Sequence, residues 1–218
     1  MATASDLTLD ELRPVLAPDI ARAAIFDGWS EKAVDFAAEK AGVDPAVGRL
    51  AFGEGSMQMI GAWLASVDAA MEHEFSIEGL SLLPIRERIR ALVLFRLEAV
   101  AGMEEAVRRT LAIQAMPQNV PTSLKLGWSS ADAMWRLAGD TATDYNYYTK
   151  RAILAGIYAA TLAVWIDDAS ENKRTTRGFL DRRIEGVMKF EKAKARLLRE
   201  REGFSMTRFL GRLRYPAR

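Results

Sequence analysis

Apolar residues recur along this sequence at intervals of three and four, and no stretch alternates steadily between apolar and polar residues. Intervals of three and four are the period of an amphipathic α-helix, whereas steady alternation indicates a half-buried β-strand. The pattern therefore predicts an all-α protein. Prolines, glycines and N-capping side chains divide it into helices that we expect near residues 16–27, 31–41, 45–52, 57–71, 85–97, 103–116, 122–137, 144–168, 175–198 and 204–214.

The segment 30–52 has the layout of a helix-turn-helix, in which Asp44-Pro45 opens a short second helix. Together with the long helices that follow, it resembles the architecture of TetR-type regulators. The short helix carries one basic residue, Arg49, and residues 27–60 contain 6 acidic and 3 basic residues. Because such a surface would repel a DNA duplex, we expect a helix-turn-helix remnant that does not bind nucleic acid.

Composition excludes several kinds of chemistry. The 218-residue chain has no cysteine and a single histidine, His73. Disulfides and thiolate metal sites are therefore impossible, and His73 has no second histidine with which to hold a metal. We interpret His73 as structural, and we predict no catalytic residues, no metal and no cofactor other than a bound lipid.

Half of the residues are hydrophobic, which suffices for the core of one large domain. We expect a single domain over 1–200, with a helix-turn-helix-like part at 1–52 and a ligand-binding and dimerisation part at 53–200, followed by a tail at 201–218. The longest apolar run, 152–166, is shorter than the roughly 20 residues of a membrane span, so we interpret it as a buried helix. An acidic N-terminus without an apolar signal core indicates a cytoplasmic protein.

Charge is distributed unevenly along the chain. Residues 173–218 contain 15 Lys/Arg and 5 Asp/Glu, a net charge of +10, whereas the other 172 residues contain 15 basic and 24 acidic residues, a net charge of −9. The end of the basic region has the spacing of an amphipathic helix. We predict that it binds an anionic membrane surface through Phe204, Arg208, Phe209, Arg212 and Leu213. A helix that docks on a protein partner, or in the groove of a second chain, is the alternative.

Two apolar features in the middle of the chain indicate either a cavity or an interface. Small residues at 155, 156, 159, 160 and 163 allow a close helix approach, at a dimer seam, beside a cavity or within the core. Apolar side chains on neighbouring helices build lipid pockets, although a packed core has the same pattern. The side chains that we predict to contact a lipid are Ile113, Met116, Val120, Leu124, Met134, Leu154, Ile157, Tyr158 and Leu162.

Five motifs make the central region recognisable. They are Ala-Met-Pro-Gln-Asn-Val-Pro at 115–121, Ala-Gly-Asp at 138–140, Thr-Asp-Tyr-Asn at 143–146, Tyr-Thr-Lys-Arg at 148–151 and Phe-Leu-Asp-Arg-Arg-Ile at 179–184. These motifs closely resemble those of the coenzyme Q biosynthesis accessory protein nine family. A weaker resemblance extends to Gly28-Trp29-Ser30 and the helix-turn-helix.

The resemblance implies a TetR-like helical bundle without DNA binding, a pocket for an isoprenoid or phospholipid, homodimers and a C-terminal amphipathic membrane helix. It also implies a task, the presentation of lipid intermediates to the di-iron demethoxyubiquinone hydroxylase. The family's docking surface for that partner centres on a tryptophan before Ala-Gly-Asp, which Trp135 matches. At the next position the family has an aromatic residue, whereas this chain has Arg136, which puts the choice of partner in doubt. The other motif positions that carry over to docking are Asp140, Tyr148, Lys150 and Arg151.

We therefore expect a non-catalytic lipid carrier of ubiquinone biosynthesis, peripheral on the bacterial inner membrane. A ligand-responsive TetR-type transcriptional regulator is the competing interpretation, and salt-dependent binding to duplex DNA would distinguish the two. We also expect Trp135 to be an exposed anchor, because it lies at the edge of an apolar stripe formed by residues 131, 134, 137 and 138.

Overall fold

The computed structural model of the protein describes residues 7–143 and 145–203. In these ranges the chain forms α-helices and two short 3₁₀ helices, without a β-strand, so the predicted all-α class is confirmed. The 3₁₀ helices are Pro117–Asn119 and Glu171–Lys173. The α-helices are α1 (Leu9–Asp27), α2 (Glu31–Lys40), α3 (Pro45–Ala51), α4 (Ser56–Glu74), α5 (Ile77–Ser81), α6 (Ile85–Glu98), α7 (Glu104–Gln114), α8 (Val120–Leu137), α9 (Tyr145–Asp167) and α10 (Arg174–Gly203).

Helix α1 begins earlier than its prolines led us to expect. A capping box fixes its start, because the Thr8 hydroxyl accepts a hydrogen bond from the Glu11 backbone N–H and the Glu11 carboxylate accepts one from the Thr8 backbone N–H. Pro14 and Pro18 lie inside the helix rather than before it. Each proline removes one backbone hydrogen bond, but the buried apolar face of α1 keeps the helix continuous through both.

Helices α1, α2 and α3 form the helix-turn-helix part. The apolar stripe of α2 consists of Ala33, Val34, Ala37 and Ala38, which recur at helical spacing in the sequence and are fully buried. The Asp44 side chain caps α3 by accepting a hydrogen bond from the Ala46 backbone N–H at 2.8 Å. At Gly48 the two helices approach so closely that an added Cβ atom would lie 3.0 Å from the Ala38 Cβ atom. The close approach favours glycine at this crossing, because a larger residue would require α2 and α3 to move apart.

The longer helices form a bundle below this part. Trp29, directly after α1, joins the two, since its ring centroid lies 5.3 Å from that of Trp63 on α4. The Trp29 indole N–H also donates a hydrogen bond to the Ala106 carbonyl on α7. Helix α10 packs along α9 and against α6.

The prediction that the apolar run 152–166 is a buried helix is wrong for much of its surface. This run lies in α9, whose buried residues are Arg151, Leu154, Thr161 and Trp165. The small residues Gly156, Ala159 and Ala163 are instead exposed. By length and apolar composition, α9 is also the one helix among the described residues that meets the criteria for a membrane span, a test that helices of soluble proteins also pass. The predicted homodimer stays a prediction, and a dimer seam remains one of the roles considered for these small residues.

Candidate functional site

A cavity of about 760 Å³ lies inside the bundle between α4, α6, α7, α8 and α9. We call it the central cavity. Its size falls within the range of about 300–1,000 Å³ that is typical of small-molecule sites. Its wall is mainly apolar and includes Trp63, Leu64, Val67, Val100, Val107, Leu111, Val120, Leu124, Leu126, Trp128, Tyr158 and Leu162.

The central cavity extends from an exposed rim to a buried end. Leu124 of α8 is 70% exposed and Val120 is also exposed, so this part of the wall faces solvent. Arg96 of α6 and Ser130 of α8 are buried wall residues. A long apolar molecule in the cavity would therefore pass from the surface at α8 to the interior at α6.

The buried end is polar. The Arg96 guanidinium forms a salt bridge with Asp68 of α4 and donates a second hydrogen bond to the Ser130 hydroxyl oxygen at 3.0 Å. The Ser130 hydroxyl in turn donates to Asp68 at 3.2 Å. The Tyr158 ring lies beside this cluster, with its centroid 5.0 Å from the guanidinium carbon. A charge-paired cluster from three helices thus lies at the buried end of a mainly apolar space.

Four of the nine predicted lipid-contact residues line the central cavity: Val120, Leu124, Tyr158 and Leu162. Leu154 and Ile157 face a different cavity, described below. Met134 is fully buried in the core, Ile113 packs against the core, and Met116 is exposed at the end of α7. The sequence pattern therefore found the α8 and α9 part of the wall.

The sequence pattern did not predict that α4, α6 and α7 contribute to the wall of the central cavity, nor that one end of this cavity is polar. A signal for the polar end was present, because Arg96 interrupts the apolar run 91–97 in the last turn of a predicted helix. A charged residue at such a position is rarely buried unless it is paired. Its partner Asp68 lies 28 positions away on another helix, which sequence spacing does not reveal.

A second cavity, of about 430 Å³, lies between α6, α8, α9 and α10. We call it the lateral cavity. Ile89, Trp135, Leu154, Ile157, Ile184 and Met188 contribute to its apolar wall, and Asp140 and Lys150 line it as well. It therefore borders the predicted docking residues and lies across α9 from the central cavity.

Trp135, predicted to be an exposed docking anchor, is instead half-buried at the end of α8. Its indole N–H donates a hydrogen bond to the Lys150 carbonyl oxygen at 2.9 Å, and the Lys150 ammonium lies 5.4 Å from its ring centroid. The expectation of a freely exposed ring is therefore wrong. Its position at the edge of the apolar stripe was predicted correctly, but α9 covers that edge.

An ionic network at the junction of α8 and α9 contains Asp140, Lys150 and Arg151. Asp140 accepts hydrogen bonds from Lys150 at 2.6 Å and from Arg151 at 2.9 Å. Burial opposes the charge on Asp140, but these two hydrogen bonds outweigh it and hold the pKa of its carboxyl below the usual value. Arg151 is buried, and it also donates to Asp132 on α8 at 2.5 Å. These contacts fix the junction and leave Arg151 without a surface that a partner could touch.

Tyr148 lies apart from this network. It is 61% exposed, and its ring packs near those of Trp128 and Tyr147. Arg136 is also exposed and forms a salt bridge with Asp132 at 3.3 Å. Tyr148 and Arg136 are therefore accessible at the predicted docking region, and the Lys150 side chain is partly exposed as well.

The predicted membrane-binding residues Phe204, Arg208, Phe209, Arg212 and Leu213 lie outside the described residues, as does Asp144 of the Thr-Asp-Tyr-Asn motif. Within the described part of the chain, no group of three or more His, Cys, Asp or Glu side chains could hold a metal ion. His73 is exposed near the end of α4.

A helix-turn-helix part followed by a helical bundle with an internal cavity defines a TetR-like protein. A TetR transcriptional regulator from Nitrosomonas europaea shares this fold with a TM-score of 0.62, over 80% of this chain and 96% of the regulator. The two sequences are 24% identical, so this similarity concerns the fold alone. It confirms the predicted TetR-like architecture.

Sequence comparison then relates part of the chain to a protein family. Residues 120–191 match the family model COQ9. The ubiquinone biosynthesis protein COQ9, mitochondrial, of Rattus norvegicus is 35% identical over 168 residues, which are 74% of this chain and 54% of the rat protein. Its Homo sapiens counterpart is 32% identical over 168 residues, 74% of this chain and 52% of the human protein. The chain thus carries a COQ9 domain and is a homologue of COQ9 proteins, which confirms the resemblance found in the motifs, and it spans about half the length of these two relatives.

Proposed function

We propose that this protein is a non-catalytic lipid-binding protein of ubiquinone biosynthesis. It holds an isoprenoid intermediate in the central cavity and presents it to a hydroxylase at a membrane surface. Homology to ubiquinone biosynthesis proteins supports the pathway. The single observation that carries lipid binding is the central cavity itself, a largely apolar space of about 760 Å³ with an exposed apolar rim.

The walls of the central cavity suit a long hydrocarbon chain. Each buried CH₂ group of a ligand gains about 0.8 kcal/mol, so a chain of about ten carbons gains enough to offset the cost of association. The exposed rim at Leu124 and Val120 gives the chain a way in without unfolding of the bundle.

Presentation to a partner would use the surface at the α8–α9 junction. Tyr148 of α9 and Arg136 of α8 are exposed there. The basic tail would supply contact with an anionic membrane. In this proposal the partner touches α8 and α9, the same two helices that form part of the wall of the central cavity.

A TetR-type regulator is favoured by the fold but not by the surface of the helix-turn-helix. Arg49 is paired through one guanidinium nitrogen with both carboxylate oxygens of Asp35, each at 2.9 Å. The exposed side chains Val47 and Leu50 make α3 apolar rather than cationic. We therefore expect duplex DNA binding to be weak and independent of sequence.

A cavity-filling substitution tests lipid binding. Gly127 of α8 lines the central cavity, and a Cβ atom added there meets no heavy atom within 4 Å. Gly127→Phe should therefore place a ring in the cavity, while the loss of a helical glycine keeps the fold stable. We expect the lipid that copurifies with wild-type protein, measured by mass spectrometry of organic extracts, to fall at least tenfold.

Ala70→Phe is the matched control, because Ala70 is exposed on α4, a helix that also forms the wall of the central cavity. It adds the same ring outside the cavity and should leave the lipid content unchanged. Equal lipid in folded Gly127→Phe and wild-type protein would refute the central cavity as the lipid site.

A further inference from the structure

The polar end of the central cavity contains an ion pair in an unusual place. Arg96 is 0% exposed, and it lines a cavity whose other walls are mainly apolar. Burying an ion pair carries a desolvation penalty that its mutual attraction seldom exceeds, so packed apolar residues of similar volume would stabilise the fold as well or better. Stability alone therefore does not account for Arg96 and Asp68 at this position.

The hydrogen bonds of Arg96 are incomplete. Its Nη1 atom binds Asp68 and its Nη2 atom binds the Ser130 hydroxyl oxygen. The Nε atom is buried and has no hydrogen-bond partner among the described residues. A buried donor without an acceptor is unfavourable, and an acceptor brought by a ligand would satisfy it.

We propose that Arg96 and Asp68 form a head-group subsite, which binds a neutral oxygen acceptor, such as a carbonyl or phenolic oxygen, at one end of a hydrocarbon chain. This inference rests on the proposed lipid binding in the central cavity. The acceptor must be neutral because Asp68 already balances the charge of Arg96. A carboxylate or phosphate would add a second negative charge beside Asp68, in a region of low dielectric constant where like charges repel strongly.

Tyr158 lies beside the subsite. Its ring lies 5.0 Å from the Arg96 guanidinium carbon, and it is itself part of the cavity wall. Because the Nε atom has no exposed surface in this structure, a ligand oxygen reaches it only when a neighbouring side chain, such as that of the half-buried Tyr158, moves aside. The bound molecule then lies with its oxygen-bearing end at α6 and its chain directed toward Leu124 at the rim.

Three probes with the same ten-carbon chain test the subsite: 2-decanone, decane and decanoate. Trp63 and Trp128 both line the central cavity, so quenching or enhancement of intrinsic fluorescence reports binding. The test variant carries Asp68→Leu and Arg96→Met together. Removing both partners leaves no unpaired buried charge, so we expect this variant to fold.

From wild type to the double variant, the affinity for 2-decanone should fall about tenfold, which is the value of one hydrogen bond. The affinity for decane should stay the same, and decanoate should bind wild-type protein more weakly than 2-decanone does. Tyr158→Phe removes only the tyrosine hydroxyl and should preserve the affinity for 2-decanone.

Each alternative result has a distinct meaning. Equal loss of 2-decanone binding in Tyr158→Phe and the double variant would overturn the subsite in favour of the tyrosine hydroxyl. Unchanged 2-decanone binding in the double variant, or decanoate as the tightest probe, would also overturn it while leaving lipid binding in place. If none of the probes binds wild-type protein, the proposed function fails and the subsite fails with it.

Discussion

Replacing Trp135 with alanine removes three interactions at the α8–α9 junction. The indole hydrogen bond to the Lys150 carbonyl, at 2.9 Å, contributes about 1 kcal/mol. The Lys150 ammonium over the ring contributes about 0.5–1 kcal/mol at a partly exposed site. A fully buried tryptophan loses about 3–5 kcal/mol on truncation, and the half-buried ring of Trp135 should lose roughly half of that. Because the truncation value already includes part of the first two contacts, we expect a total loss of about 3 kcal/mol in the free energy of unfolding.

For a domain of this size, each kcal/mol lowers the melting temperature by about 2–4 °C. We therefore expect Trp135→Ala to melt about 6–12 °C below wild type, measured by circular dichroism at 222 nm or by scanning calorimetry. Tyr148→Ala is the matched control, because it truncates an exposed aromatic residue on the same junction. Because the Tyr148 ring is mostly exposed, its contacts with neighbouring rings contribute about 1 kcal/mol at most. The melting temperature of Tyr148→Ala should therefore fall by less than about 4 °C.

The result bears on any docking assay. If Trp135→Ala destabilises the junction, its loss of partner binding has a structural cause, and Tyr148→Ala becomes the informative variant for docking. The opposite result, in which Trp135→Ala melts within about 1 °C of wild type, would refute this reasoning. The ring would then contribute no packing energy, and the original expectation of an exposed anchor would be restored.

Two further predictions concern buried charges. Arg96→Met alone should destabilise the protein by about 3 kcal/mol in urea unfolding, because it leaves the Asp68 carboxylate, whose side chain is only 15% exposed, without its charged partner. Adding Asp68→Leu should restore most of that loss, and equal stability of the single and double variants would contradict this coupling. The second prediction concerns how stability depends on pH. Burial opposes the charge on Asp168, but hydrogen bonds from Ser170 and Thr176 outweigh burial and hold the pKa of its carboxyl well below the usual value. A carboxyl whose pKa is lowered by folding stabilises the native state above its unfolded pKa of about 4, and that contribution is lost as the pH falls toward the folded pKa. The stability difference between wild type and Asp168→Ala should therefore shrink between pH 7 and pH 3, and a constant difference would show that ionisation of Asp168 is irrelevant.

Helix positions were predictable because local signals agree with tertiary packing. The Ala-rich stripe of α2 and the cap at Asp44 were both visible in the sequence and both appear in the structure. The start of α1 was not, since Pro14 and Pro18 indicated a boundary that the capping box at Thr8 and burial of the helix face override. Local propensity is a weak prior, and tertiary contacts decided this case.

The two cavities were harder to predict, because helical periodicity shows which face is apolar but not what the face meets. Leu154 and Tyr158 lie four positions apart on α9, yet Leu154 lines the lateral cavity and Tyr158 the central cavity. A charged residue introduced at Leu154 would therefore disturb the lateral cavity rather than the proposed lipid site. The buried end of the central cavity required the meeting of α4, α6 and α8, which no local pattern contains.

The motifs that reveal the family describe the α8–α9 junction more than an accessible surface. Asp140, Lys150 and Arg151 bind one another, and Trp135 binds the backbone at Lys150. Their spacing is therefore explained by the geometry of one helix turning onto the next. The side chains that remain free to meet a partner, Arg136 and Tyr148, flank this network. Specificity for a partner would then lie in the flanking positions, where Arg136 departs from the aromatic residue of the family pattern, while the network between them holds that surface in place.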